Sequence, residues 1–511
     1  MARLGASVLM VLTVATCACG GGSPTGASEG SPAGSGSSST GAATMYVDSR
    51  IGSSTCADYS ASSRSCGGGS ARAFRSLQGA ADAAGPGDVV HVRQGSYSER
   101  LIPGRSGTEA QPVTWAAAPG ETVTLTGGDE PAIYLKSRSY VVIDGFTVTN
   151  VVGWARLEDS DYNTFTHNRC SNATASGTTA SVKLVRSRYN RILDNTFEEG
   201  TDDVVIQESD RNLVRGNTFK GARHSLLSLR CGNYNVVRGN TFSNPSQKAL
   251  EIYDCEGVSD APVKLDATKR NLVEGNVIAD THPSTADYRY NGIQYGGQQG
   301  IVRRNVFKND LGGGVNFQYY SDESLFNNRN RVYFNTFYNN RCYAIVGNSG
   351  SRSQYFDNRA RGNLLYRNTD CNGGGGQVSV ADAGAVILEE NALASGSPGF
   401  VDENGGDFRL SAGSPMIDQG PWVTTTTAAG SGADLPVADA SWFYDGFGIP
   451  SESGDEVQLD GQPEVARVTS VDLAANRLKL DRSLTWKSGQ GVSLRYGGAR
   501  PDPGAYESGV Q

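Results

Sequence analysis

Between residues 183 and 318 the chain carries a series of side chains able to move protons and bind charge. Asp202-Asp203, Arg223-His224, Arg230, Lys248, Glu251 and Tyr253 recur at closely similar spacings, 22 residues from Asp202 to His224 and 23 from Arg230 to Tyr253. If those spacings are one turn of a stacked repeat, the groups converge on one patch. Their types suit removal of a proton from carbon beside a carboxylate. That proton is weakly acidic, so a site must neutralise the carboxylate and supply a base. Lys248, Arg230, His224 and Tyr253 are candidate bases. Asp202, Asp203 and Glu251 are candidate ligands for a Ca²⁺ that would do the neutralising. The same patch suggests a second chemistry, inverting glycoside hydrolysis by Asp202, Asp203 and His224, which needs an acid and a base about 6.5–9.5 Å apart.

The repeat that would align these groups is visible. Tyr162-Asn163-Thr164-Phe165-Thr166-His167-Asn168 is followed by Tyr189-Asn190 through Asn195-Thr196-Phe197, Asn212 through Asn217-Thr218-Phe219, and Asn235 through Asn240-Thr241-Phe242. The second Asn of each copy falls at 168, 195, 217, 240, 276, 305, 335 and 363. Short apolar runs with a period in the twenties or thirties indicate a solenoid, and the Asn, Gly and Thr content excludes helical repeats. The expected fold is all-β, a right-handed parallel β-helix. Its coils stack at about 4.8 Å, with Asn in the turns because it tolerates the left-handed conformation and can stack as a ladder.

Aligning the strand before each Asn motif gives columns. Val182-Lys183-Leu184-Val185 lies over Val204-Val205-Ile206-Gln207, Leu227-Ser228-Leu229-Arg230, Leu250-Glu251-Ile252-Tyr253, Ile293-Gln294-Tyr295 and Val315-Asn316-Phe317-Gln318. Alternate residues face out, so Lys183, Glu251, Gln294 and Asn316 share one outward column. Gln207, Arg230, Tyr253 and Gln318 share its neighbour. Tyr288, Tyr290, Tyr319 and Tyr320, in the loops beyond, offer platforms for sugar rings. His91 and His167 read as coil structure, and His282 as a loop contact.

Residues 71–84 have apolar groups at helical spacing and stop at Gly85-Pro86-Gly87, predicting a short helix that caps the first coil. Residues 1–19 read as a lipoprotein signal: Arg3, an apolar run from Val8 to Ala15, then Thr16-Cys17-Ala18-Cys19, which resembles a bacterial lipobox with Cys19 as the lipidated residue and Cys17 as the alternative. Residues 20–44 are a Gly/Ser-rich tether. The solenoid spans 45–420, a small β-rich insertion 421–500, and a closing segment 501–511. Nine cysteines fit an oxidising compartment; Cys56 with Cys66, Cys231 with Cys255, and Cys342 with Cys371 are the expected pairs, leaving Cys170. The net charge of −8 argues against a nucleic-acid partner. No nucleotide, haem or zinc motif is present.

"AADAAGPGDVVHVRQGSYSERL", "SGTEAQPVTWAAAPGETVTLTG" and "SYVVIDGFTVTN" resemble the opening coils of secreted β-helix polysaccharide lyases of the chondroitinase B, alginate lyase and pectate lyase types. "LSAGSPMIDQG" and "PDPGAYE" resemble the closing coil of bacterial β-helix proteins, here split by the insertion. "GTDDVVIQES" and "GARHSLLSL" resemble the Gly-Asp-Asp and Gly-His-Gly coils of polygalacturonases, although Lys183 and Glu251-Ile252-Tyr253 depart from that pattern. The lipobox-like leader implies an exported, lipid-anchored protein, expected to be a monomer, and the lyase resemblance implies an enzyme cleaving an acidic polysaccharide by β-elimination. The polygalacturonase resemblance implies a hydrolase, and a third reading is a non-catalytic glycan-binding solenoid. The absence of an Asp-Pro-His-Asp motif counts against uronate epimerisation.

Overall fold

The computed structural model describes residues 44–510 except 176–178, 180, 254–267, 284–285, 288, 319–325 and 349–353. The proposed lipobox, nearly all of the tether, Cys255, Tyr288, Tyr319 and Tyr320 lie outside the described residues. Three long sheets, of 16, 12 and 10 strands, form a parallel β-helix. One coil runs from the third sheet (Asp202–Gln207) to the first (Leu213–Arg215) and the second (Thr218–Lys220), then returns.

The asparagines hold the coils in step. The Asn217 backbone N–H donates to Asn240 Oδ1 at 2.9 Å, and its Nδ2 donates to the same oxygen at 3.0 Å and to the Ile192 carbonyl at 2.8 Å. The pattern runs unbroken through Asn168, Asn195, Asn217, Asn240, Asn276, Asn305, Asn335, Asn363 and Asn391. A second ladder links Asn163, Asn190, Asn212, Asn235 and Asn271. These asparagines do not themselves take up the left-handed conformation. The residue before each one does: Tyr162, Tyr189, Arg211, Tyr234 and Arg270 in one turn, His167, Asp194, Gly216, Gly239 and Gly275 in the other. Asn is used for its amide. Inside, Phe197, Phe219 and Phe242 stack with centroids 5.0 and 4.7 Å apart.

The N-terminal helix is shorter than its apolar spacing predicts. Ala71–Phe74 is a strand, and the helix is Leu77–Ala83, started by Ser76, whose Oγ accepts from Gly79 N–H at 3.1 Å. Leu77, Ala80 and Ala81 are buried against the first coils. Disulfides join Cys56 to Cys66 and Cys342 to Cys371, and Cys231 is also disulfide-bonded. Cys170 is a free, buried thiol in the second sheet's inward column. The disulfides mark an exported, extracytoplasmic protein.

The insertion is a six-stranded antiparallel half-barrel lying on the outer face of the first sheet. Leu213, Val236, Leu272 and Ile301, one outward column, share an apolar cluster with Leu435, Trp442, Phe443 and Val457. Charge reinforces the joint. Arg303, 2% exposed, spans Glu274 at 2.7 Å and Asp455 at 2.5 Å, and Arg238 reaches Glu274 and Glu452.

Two predictions follow from this packing. Asn240→Ala strands the Asn217 backbone N–H in the interior, at about 1–3 kcal/mol for an unsatisfied buried group, while the Asn217 side-chain amide keeps the Ile192 and Arg215 carbonyls. Denaturant unfolding should show that loss, and a smaller one for Asn391→Ala at the half-buried end of the ladder. The second concerns acid. Burial would raise the Glu274 carboxyl, but the Arg303 and Arg238 guanidiniums hold it below the usual range. Such a group stabilises the fold above its unfolded value of about 4.3 and loses that contribution as pH falls through the lower folded value. Thermal melts should fall over that acid window, and Glu274→Gln should flatten the fall.

Candidate functional site

The third sheet builds the site through register. Asp202 pairs with Ser225 and Ser225 with Lys248; Val205, Ser228, Glu251, Gln294 and Asn316 are successive partners; so are Gln207, Arg230 and Tyr253. Lys183 stands one coil earlier, level with Val205. These pairs match the columns read from the sequence.

His224 Nδ1 lies 2.7 Å from Asp202 Oδ1, which also accepts from Ser225 N–H at 3.2 Å. With Nδ1–H donated to the carboxylate, the neutral ring presents Nε2 as its basic nitrogen. The His224 side chain is 32% exposed, whereas that of Asp202 is 2% exposed, so the ring is the accessible half of the pair. Lys248 Nζ bonds Glu251 Oε1 at 2.5 Å, and both side chains are at most one-tenth exposed. Ser225 Oγ and Ser228 Oγ each reach Glu251 Oε2 at 3.5 Å. Arg230 sits between the two carboxylates, 3.7 Å from Asp202 Oδ2 and from Glu251 Oε2, beyond hydrogen-bond length. Its guanidinium lies over the Tyr253 ring, 5.0 Å from the centroid, and its buried Nε has no hydrogen-bond partner. Asp202, Glu251, Lys248 and Arg230 therefore balance in charge, with unsaturated arginine donors and one exposed imidazole at the surface.

Asp203 is a correction. Strand alternation breaks at this point: the register sets Asp203 level with Leu226 and Ala249, both core residues. It is fully buried, with Oδ1 accepting from Gly200 N–H at 3.0 Å and Oδ2 unpartnered. Burial pushes its carboxyl well above the usual carboxylate range. It joins neither a cation site nor an acid–base pair on the outer face. A Ca²⁺ held by Asp202, Asp203 and Glu251 does not fit this arrangement, because the oxygens of the other two face His224, Ser225, Lys248 and Arg230.

Among the other expected contacts, Lys183, Gln207, Gln294 and Gln318 are half-buried along the patch, and Asn316 is fully buried. Tyr290 is half-buried beside Arg289, whose guanidinium is 6.0 Å from its ring centroid. Ser225 was not singled out from the sequence; its signal was its place level with Asp202 and Lys248. Arg223 turns away to the carbonyls of Ala173 and Ala175. His167 bonds Asp144 at 2.9 Å, and His91 is buried near Tyr46.

A family described as "Periplasmic copper-binding protein (NosD)" matches residues 116–261, which contain most of this patch. A search of the curated proteins finds no match. Among solved structures, the chain is similar to pectate lyase Pel9A (14% identity, TM-score 0.46, covering 92% of this chain and 98% of that one). It is also similar to a PL6 family polysaccharide lyase from Pseudopedobacter saltans (14%, 0.44, 63% and 92%). A third is the PL6 family alginate lyase AlyGC (17%, 0.43, 66% of this chain), of which it spans about half, 52%. At these identities the likeness is one of coil architecture.

The Lys248–Glu251 pair yields a prediction. Glu251→Ala leaves a buried ammonium without its partner and should cost about 3–5 kcal/mol, whereas the double change Lys248→Met with Glu251→Leu should recover most of it. A double-mutant cycle by chemical denaturation measures both.

Proposed function

We propose that the protein is an exported, lipid-anchored lyase that cleaves a uronate-containing polysaccharide by β-elimination at the outer face of the third sheet. The observation that carries this reading is the His224–Asp202 pair, set beside an arginine with unsaturated donors. Arg230 binds the uronate carboxylate, with Lys248 adding positive potential. His224 Nε2 takes the proton from the carbon beside that carboxylate, and Asp202 stabilises the imidazolium that forms. A carbon–carbon double bond forms as the glycosidic carbon–oxygen bond breaks. Tyr253, in the column of Arg230, returns a proton to the departing oxygen. The base is thus His224, because the Lys248 ammonium is committed to Glu251. Gln207, Gln294 and Lys183 extend the patch for neighbouring sugars, and Cys19 carries the lipid.

The hydrolase alternative loses support because Asp203 faces the interior. A second reading, a non-catalytic binding solenoid, is favoured by the family match across residues 116–261. Copper does not suit the residues at hand. Among the described residues, one trio of His, Cys, Asp or Glu side chains converges, Cys56, Asp58 and Cys66, and its two sulfurs are joined in a disulfide.

The test is incubation with a panel of uronate and neutral polysaccharides, reading ultraviolet absorbance from an unsaturated uronate and, separately, new reducing ends. Both signals are expected, and His224→Ala should lower the rate about 10²–10⁴-fold. Reducing ends without absorbance would mean hydrolysis. Binding with neither signal would mean a non-catalytic role.

A further inference from the structure

A cavity of about 690 Å³ opens where the half-barrel meets the last coils of the first sheet. Its origin lies in one outward column. Leu213, Val236, Leu272 and Ile301 are apolar and pack against the half-barrel, but the next two partners are Arg331 and Arg359. Where the column turns from apolar to charged, close packing gives way to a lined space. Arg329 and Arg361 join these two arginines, facing Asp357, Glu389 and Asp439. With Glu390, which pairs with Arg361 beside the cavity, the four guanidiniums meet four carboxylates.

The carboxylates are engaged by only part of the arginine set. Arg331 bonds Asp357 and Asp439 at 3.1 and 3.0 Å, and Arg359 bonds Asp357 and Glu389 at 2.6 and 2.7 Å. Arg361 pairs with Glu390 and, at 3.9 Å, with Glu389, yet its Nε is buried with no hydrogen-bond partner. Arg329 has no carboxylate partner among the described residues; its guanidinium lies 5.3 Å from the Phe356 ring centroid, at the exposed rim. The half-barrel closes the space with Thr425 and with Ser441, whose hydroxyl donates to Asp439 at 2.5 Å and keeps its oxygen as an acceptor. A cavity of this size at a domain junction, with planar donors left over and hydroxyls opposite, has the chemistry of a small-ligand site.

We infer that this junction is a second, non-catalytic binding site for a carboxylate-bearing oligosaccharide. Arg329 and Arg361 receive the carboxylate, and the half-barrel's hydroxyls receive the sugar. It lies on the first sheet, not the third, and shares with the lyase reading only the acidic-saccharide class. The site holds an acidic chain to the protein independently of turnover.

The experiment is titration calorimetry of the full chain with oligogalacturonate, oligoalginate and chondroitin oligosaccharide, beside acetate and a neutral maltooligosaccharide. The variants are Arg329→Glu, at an exposed position, Thr425→Trp, which fills the cavity, and Arg230→Ala in the third sheet. At least one acidic oligosaccharide should bind. In the Arg230→Ala background, which removes carboxylate binding at the third sheet, the junction binding should remain; there Arg329→Glu should weaken it about tenfold or more and Thr425→Trp should abolish it. Melting curves establish that each variant is folded; if Thr425→Trp is not, Arg329→Glu decides. Failure of all three acidic probes, binding unmoved by Arg329→Glu, or equal binding of acetate or the neutral sugar would overturn the inference. A protein without lyase activity that still shows Arg329-dependent binding fails the first reading and keeps this one.

Discussion

The bond from one asparagine's backbone N–H to the side-chain oxygen of its counterpart in the next coil sets everything else in place. It satisfies a donor that a tight turn would otherwise bury unpaired, and because it links like to like it permits one register. Asn217 can meet Asn240 only if Val205 meets Ser228 and Gln207 meets Arg230. A one-residue slip would exchange the inner and outer faces of every strand. The ladder therefore positions the surface chemistry although none of its amides is part of it. Loops of different length between coils leave it intact: the step from Asn240 to Asn276 is 36 residues, with the same 2.9 Å bond as its neighbours.

Stacking coils about 4.8 Å apart also forces like charges together unless the sequence alternates them. On the third sheet it does. Asp202, Arg230, Lys248 and Glu251 come from three successive strands and neutralise one another at low exposure, which offsets the cost of burying each alone. Buried charge in such a set is held rigidly, so geometry and not mobility decides what it can do. The imidazole of His224 stands at the edge of this balance, fixed through Nδ1 and open at Nε2. Of the two cations in this set Arg230 is the less satisfied, with contacts of 3.7 Å where Lys248 has one of 2.5 Å. An acidic ligand would complete it.

Much of this was legible in the residues because a solenoid turns long-range contacts into arithmetic. The Asn spacing located the coils, and the columns through Lys183, Glu251, Gln294 and Asn316 followed from alternation. The 22-residue step from Asp202 to His224 predicted a contact that exists at 2.7 Å. Alternation failed where the backbone breaks it. Asp202 and Asp203 read as a pair, yet two consecutive positions, 203 and 204, 226 and 227, 249 and 250, point into the core at the start of each strand. The apolar residues of 71–74 likewise fit a helix by spacing but pair as a strand with Met45–Val47, a partner no local pattern announces.

The split closing motif shows how such a fold acquires a second body. The outer face of a coil is ordinarily polar, and a run of Leu213, Val236, Leu272 and Ile301 there would be an exposed apolar stripe. The half-barrel inserted between Gly420 and Pro501 covers that stripe, and Arg303 and Arg238 tie it down through Glu274, Asp455 and Glu452. Coverage ends where the column changes to Arg331 and Arg359, and the cavity begins there. The two polar clusters lie on different sheets and depend on different columns, so the sequence can change one without disturbing the other. Register makes each column a separate design variable, and this chain has used one for an imidazole–carboxylate pair and another for a joint that stays open at one end.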